Sequence, residues 1–206
     1  QRFRRFLNPT IGRGPLLRQQ QVRFRYEAEV GINPGVLGTA VHIFSANGLF
    51  DPDITGVGHQ PRGFDELMAL YDHAVVIGAK ITVDWVASSS ETRATRVGVA
   101  LRDSTTTDDG NGYIEGGNVV YDVLAIENFY KCRQIYQCNP NKFLGRSKPL
   151  ADRDLKNSTS TNPAEQAFFH IWRRPVFSAD DPGTACACIV LEYEVILIEP
   201  KVPTQS

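Results

Sequence analysis

Apolar and polar residues alternate with period two over most of the chain. Val22, Phe24, Tyr26, Ala28 and Val30 fall on one face, and Arg23, Arg25, Glu27 and Glu29 on the other. This is the pattern of a half-buried β-strand. The same alternation predicts strands over 39–45, 74–87, 95–103, 118–126, 129–138, 167–174 and 185–198. In 74–87 it places Val75, Ile77, Ala79, Ile81, Val83 and Trp85 on one face; in 185–198 it does so for Ile189, Leu191, Tyr193, Val195 and Leu197. Glu127-Asn128 between the fifth and sixth strands reads as a tight hairpin. One segment has helical spacing: Phe64, Leu67, Met68 and Tyr71 form a single apolar stripe over 63–73. Long irregular loops are expected over 46–62, 104–112 and 139–166. Eight strands, one helix, no repeat and no interdomain linker predict an all-β, two-sheet antiparallel sandwich.

Length and composition fit this reading. A chain of 206 residues, 42% hydrophobic and 22% charged, can bury one sizeable core. No apolar run reaches the roughly 18 residues of a membrane-spanning helix, and the arginine-rich N-terminus carries no signal-peptide apolar stretch. The net charge of -1 hides an asymmetry. Residues 1–26 hold Arg2, Arg4, Arg5, Arg13, Arg18, Arg23 and Arg25 and no acid, so the rest of the chain carries 15 basic against 23 acidic side chains. A basic block on an acidic body suggests an arm that meets a polyanion, and the guanidinium fork suits phosphate.

Reactive residues form no catalytic constellation. His42, His59, His73 and His170 are dispersed, without the paired spacing that zinc or iron sites require. Cys186 and Cys188 share one strand face and Cys132 and Cys138 another, a pattern expected of small buried hydrophobes. Gly56-Val57-Gly58 precedes the helix but lacks the third glycine or lysine of a phosphate cradle. Asp51 and Asp53 are weak candidates for calcium in a loop otherwise rich in turn formers. Asn157-Ser158-Thr159 is a formal glycosylation acceptor. No enzyme activity and no cofactor are expected.

Three blocks carry a family resemblance. They are FSANGLFDPDITGVGHQPRGFDELMALYDH from Phe44 to His73, CNPNKFLGRSKP from Cys138 to Pro149, and NPAEQAFFHIW from Asn162 to Trp172 with the closing LEYEVILIEP from Leu191 to Pro200. In this order they resemble coat proteins of small circular single-stranded DNA viruses that encode a rolling-circle replication protein (the CRESS-DNA viruses, circovirus-like and environmental relatives). The resemblance implies a single eight-stranded viral jelly roll with sheets ordered B-I-D-G and C-H-E-F. It also implies a homo-oligomeric icosahedral shell, sixty copies in the simplest T=1 case, and an arm that faces packaged single-stranded DNA. The implied location is the virion, with the host nucleus during assembly and no membrane insertion.

On this basis residues 1–21 are expected to be the arm, 22–200 the shell domain and 201–206 a tail. Arg2, Arg4, Arg5, Arg13 and Arg18 are the expected nucleic-acid ligands, with Phe3 and Phe6 placed to stack on unpaired bases. The sheet order sets Arg23 and Arg25 beside Glu192 and Glu194, and Lys80 and Asp84 beside Lys131 and Arg133. Cross-strand pairing is therefore expected for these cations, which makes Arg23, Arg25, Lys131 and Arg133 weaker ligands. Sixty arms of this charge neutralise fewer phosphates than the coding sequence of this chain contains, so further basic sequence is expected upstream. The rival readings are a carbohydrate-binding sandwich, which predicts exposed aromatics, the coat protein of a small RNA virus, and a metal-dependent sandwich enzyme.

Overall fold

The computed structural model describes residues 16–87, 93–125, 132–177 and 181–202. Among the described residues eight strands follow in sequence: β1 (Gln19–Ile32), β2 (Ala40–Ser45), β3 (Tyr71–Ala87), β4 (Thr95–Arg102), β5 (Val119–Leu124), β6 (Cys132–Cys138), β7 (Phe168–Pro175) and β8 (Ala185–Pro200). They form two antiparallel four-stranded sheets, ordered β1-β8-β3-β6 and β2-β7-β4-β5. With strands lettered B to I these are the expected B-I-D-G and C-H-E-F sheets.

The facing sides of the two sheets make one core. β1 contributes Phe24 and Tyr26, β4 Val97, Val99 and Leu101, and β8 the uninterrupted series Ile189, Leu191, Tyr193, Val195 and Leu197. Both tryptophans are fully buried. Trp85 Nε1 donates to Gln134 Oε1 (3.1 Å), and Gln134 Nε2 donates to Val97 O (2.9 Å), so one polar bridge crosses between the sheets. The buried Arg173 guanidinium donates to Ile32 O (2.9 Å), Gly183 O (2.6 Å) and Thr95 Oγ1 (3.1 Å), tying strand ends of both sheets together.

Three expectations are corrected. The even alternation along 74–87 breaks at a bulge between Val76 and Gly78. The extra residue reverses the facing of side chains, so Ala74 and Val76 join the core before it and Ala79, Ile81, Val83 and Trp85 after it. Val75 and Ile77 therefore do not share the core face. The helix is one turn, α1 (Phe64–Met68), and Tyr71 of the supposed stripe opens β3 instead. The fifth and sixth strands are not a hairpin: β5 pairs with β4, and β6 pairs with β3 in the other sheet. Glu127 and Asn128 lie outside the described residues.

Two short helices went unread, α2 (Gly110–Glu115) and α3 (Pro140–Phe143). Asp109 caps α2 by accepting from Gly112 N, and Asn139 caps α3 by accepting from Lys142 N, with Pro140 at the first helical position. These are ordinary start signals, hidden by the brevity of the helices they begin. Helix α2 lies on the outer side of the β2-β7-β4-β5 sheet. There Tyr113 stacks on Trp172 at 5.8 Å and 9°, forming a small second core with Ala100.

The long loops are held by side-chain amides. Asn157 is fully buried; its Oδ1 accepts from Leu49 N (2.8 Å), and its Nδ2 donates to Asn47 O (2.9 Å) and Ala74 O (3.3 Å). Asn47 Nδ2 donates to Glu165 O, and its Oδ1 accepts from Ala167 N. The formal glycosylation asparagine is thus a structural clamp whose amide is closed to a glycan.

Trp172 lies against Gly98 of β4 so closely that a Cβ built there would stand 2.4 Å from the indole. Gly98→Ala is expected to cost about 1–3 kcal/mol, as overpacking does, and to lower the melting temperature by about 2–4 °C per kcal/mol. An unchanged melting temperature would show that the indole is free to shift.

Candidate nucleic-acid interface

Of the expected arm ligands, Arg18 is described and stands just ahead of β1, while Arg2, Arg4, Arg5 and Arg13 lie outside the described residues. The chain enters β1 past Tyr71, whose hydroxyl lies 3.1 Å from both Leu17 O and Gln20 Oε1. The opening of β3 thereby anchors residues 17–20, where the chain enters β1.

The outer face of the β1-β8-β3-β6 sheet carries a lattice of opposite charges. Register sets Arg23 against Glu194 and Arg25 against Glu192 across β1 and β8, Lys80 against Glu192 across β3 and β8, and Asp84 against Arg133 across β3 and β6. The side chains meet as the register dictates. Arg23 reaches Glu194 at 3.1 Å, Arg25 reaches Glu192 at 2.7 Å, and Lys80 also pairs with Glu192. Arg133 grips Asp84 with two nitrogens, at 2.7 and 2.9 Å. Hydrogen bonds from Lys80 and then Arg25 hold Glu192 below the ordinary carboxylate range. Lys131 lies outside the described residues. A phosphate approaching Arg23, Arg25 or Arg133 must therefore compete with a carboxylate already in place.

The outer face of the other sheet is arranged differently. Arg102 is spent on backbone, donating to Leu101 O and Gly117 O (both 2.9 Å) and to Tyr113 O (3.0 Å). Arg96 of β4 and Arg174 of β7 stand directly opposite each other in the register; neither forms an ion pair among the described residues, and the Arg174 side chain lies over Gly110 of α2. This pair carried no sequence signal, because two arginines far apart in the chain become neighbours only once the strand order is known.

The candidate metal and aromatic residues have structural occupations. Asp53 is buried; its Oδ1 accepts from Thr55 N (3.0 Å) and Thr55 Oγ1 (2.8 Å), and its Oδ2 stands 3.1 Å from His42 Nε2. Burial, then the neighbouring Asp53, raises the carboxyl of Asp51, and burial with both aspartates pushes Tyr26 up to about 12. Among the described residues no group of three or more His, Cys, Asp or Glu is placed to hold a metal ion. Cys132 and Cys138 pack toward the core, whereas Cys186 and Cys188 alternate with the inward Ala185, Ala187 and Ile189. The two pairs thus lie on opposite faces of their sheet. Among the described residues no helix is long and apolar enough to cross a membrane.

His170 is fully buried, its Nε2 2.8 Å from Ser104 O and its Nδ1 2.8 Å from Tyr113 Oη. Burial lowers its titration, and the hydrogen bonds suit the neutral ring with the proton on Nε2. His73 and Lys156 both pair with Glu199, at 2.8 and 2.6 Å. None of the histidines faces another across an open site.

No protein-family model matches the chain, and no curated protein sequence matches it. Among solved structures it is similar to turnip yellow mosaic virus (14% identity, 93% of this chain and 86% of that one, TM-score 0.48). It is similar also to the decameric BFDV capsid protein (11% identity, 87% and 99% covered, TM-score 0.48). A third is the mud crab tombus-like virus (11% identity, 94% and 96% covered, TM-score 0.49). These are likenesses of chain trace at low identity.

The charge lattice has a pH signature. Glu192 titrates below its ordinary value of 4.5 in the folded chain, so its pairing contributes fully above that value and is lost as pH falls through the lowered titration. Glu192→Gln should cost about 0.2–1 kcal/mol at pH 7, the range for partly exposed cross-strand pairs. It should also flatten the fall of the denaturant midpoint between pH 6 and pH 3. Parallel pH profiles for the two proteins would rule the lattice out as a contributor.

Proposed function

We propose that the protein is a viral coat protein, a non-enzymatic jelly roll that self-assembles into a small icosahedral shell and packages single-stranded nucleic acid, with DNA favoured, through its basic N-terminal arm. The observation that carries this reading is the joining of seven arginines in the first 26 residues to a sandwich with the B-I-D-G and C-H-E-F strand order. The sequence blocks that resemble coat proteins of CRESS-DNA viruses supply the preference for DNA. The rival carbohydrate-binding reading predicts a patch of exposed aromatics, to which neither buried tryptophan contributes.

The chemistry of packaging is counterion release. Each guanidinium that neutralises a phosphate frees condensed cations, so affinity falls steeply with salt, by about 0.7 in the log–log slope per single-strand contact. Arg2, Arg4, Arg5, Arg13 and Arg18 are the ligands in this reading, and Arg23, Arg25, Lys131 and Arg133 serve the sheet in preference to the cargo. The particle, with sixty copies in the T=1 case, is the functional unit, and its location is the virion.

Light scattering on the purified chain is expected to give a particle near sixty times the 22.9 kDa chain mass, with nuclease-resistant absorbance at 260 nm. Replacing the five arm arginines by glutamine should lower the salt slope for a single-stranded oligonucleotide by about 3–4. A monomer at every salt and pH would overturn the shell. An unchanged slope would overturn the arm, and cargo digested by ribonuclease after particle opening would overturn DNA in favour of RNA.

A further inference from the structure

We propose that the cleft between the β1–β2 loop, the start of α2 and the end of β7 binds a terminal N-acylated sugar acid of the sialic acid class, with Arg174 taking its carboxylate. The proposal rests on the coat-protein reading above, in which such a site lets the shell hold a cell-surface glycan.

The cleft has a volume of about 130 Å³, and its walls include Leu37, Thr39, Asp109, Asn111, Arg174 and Pro175. Its place in the sandwich follows from Arg173, which donates to Ile32 O and Gly183 O. These bonds set the end of β7 where β1 finishes and β8 is about to begin. The chain enters β1 at the opposite end, where Gln19 pairs with Ile198. The 14 residues of β1 lie between, roughly 45 Å at about 3.4 Å per residue. The cleft is therefore remote from the basic N-terminal segment and from the cargo proposed for it.

The polar groups in the cleft have unfilled hydrogen-bonding capacity. The stem of Arg174 lies over Gly110, where a built Cβ would stand 2.0 Å from Arg174 Cδ. The side chain is thus held in place, half-buried, yet its guanidinium makes no hydrogen bond or ion pair among the described residues. The Asn111 amide is likewise without a partner among them. Asp109 Oδ1 accepts from Gly112 N (2.7 Å), which leaves the other oxygen to accept from a ligand. Thr39 Oγ1 accepts from Gly110 N (3.1 Å) and keeps its proton to donate. A few convergent polar groups beside an apolar wall are the usual make-up of a small-molecule site.

That wall is held at a cost. Leu37 has φ 65° and is 70% exposed. A bulky residue in the left-handed region is strained, and here burial does not offset the strain. Held out beside Pro175, Leu37 gives the cleft an apolar surface for an acyl methyl group. The charges select the rest of the ligand. The guanidinium fork matches a carboxylate with two parallel bonds. Asp109 beside it disfavours a sulfate- or phosphate-rich polymer, whereas a single carboxylate flanked by hydroxyl and amide donors satisfies both side chains. The small volume suits one terminal sugar, bound weakly at each site and more tightly by the many copies of a shell.

The test is saturation-transfer NMR on the full chain with 3′-sialyllactose, with lactose as the control. The acyl methyl should show the strongest saturation. Arg174→Met keeps the stem over Gly110 and removes the fork, and it should weaken binding about 10–100-fold. Asn111→Ala should weaken it about 2–10-fold. Leu37→Gly should weaken binding while the melting temperature holds or rises, because strain is released; a fall in melting temperature would make Leu37 structural and overturn its part in the site. Parent-like binding by Arg174→Met would overturn the assignment to this cleft. No saturation of sialyllactose by a parent that forms particles would overturn the site and leave the coat reading standing. Sialyllactose binding by a chain that stays monomeric would support the site and overturn the coat reading. Preference for a sulfate-free glucuronate oligosaccharide would overturn the sialic acid class, and preference for heparin would overturn it in favour of a sulfated glycan.

Discussion

The whole arrangement depends on the last strand lying between the first and the third. β8 pairs with β1 from Gln19↔Ile198 to Ile32↔Ala185 and, on its other edge, with β3 from Tyr71↔Pro200 to Ala87↔Ala185. The β1-β8-β3-β6 sheet therefore lacks its centre until the end of the chain arrives, and no N-terminal portion can complete that half of the core. Loop-closure entropy must be met before such distant pairings return any energy, which makes folding slow and strongly cooperative. The same position explains the charge lattice. A strand with partners on both sides can offer one carboxylate to two neighbours, and Glu192 takes Arg25 from β1 and Lys80 from β3.

A sandwich of this kind leaves sheet edges that must be covered. The loop after β2 covers two of them. Ser45 N donates to Pro52 O and Ile54 N to Ile43 O, which pairs the loop with the free side of β2, while His59 Nε2 stands 3.2 Å from Glu27 O on β1. The clamps Asn47, Asn157 and Asn162 hold this loop to the segment before β7. Within the blocks that carry the family resemblance, Asn47, Asn141 and Asn162 are such backbone clamps, and their spacing fits the donors and acceptors they satisfy.

Most of the fold was legible because period-two alternation is a direct record of burial on one face. The readings that failed had specific physical causes. Before the bulge between Val76 and Gly78 the residues Ala74, Val75, Val76 and Ile77 are all apolar, so either facing fits them and the reversal leaves no trace in a count of apolar positions. The expected hairpin is absent because strands adjacent in sequence need not share a sheet, and the strand order puts β5 and β6 in different ones. The ion pairs were legible once the order was assumed, since Arg23 and Arg25 alternate in step with Glu192 and Glu194. The opposed Arg96 and Arg174 were not, because their meeting depends on the register of β4 against β7, which no local pattern encodes.

The distribution of charge then separates two uses of arginine in one chain. A guanidinium fixed in a sheet beside a fixed carboxylate is already solvated by its partner, and a phosphate gains little by displacing it. On the proposed reading, a guanidinium of the basic N-terminal segment gains more from a polyanion than one already held by a carboxylate. Residues after position 26 carry 23 acidic and 15 basic side chains, so the body as a whole is negative. Its long-range field opposes nucleic acid and is screened over about 8–10 Å at ordinary salt. Cations that reach beyond that distance, or that stand locally uncompensated, decide where a polyanion settles. On the proposed reading, the placement of acids, more than the number of arginines, determines which surfaces of this chain stay open to cargo.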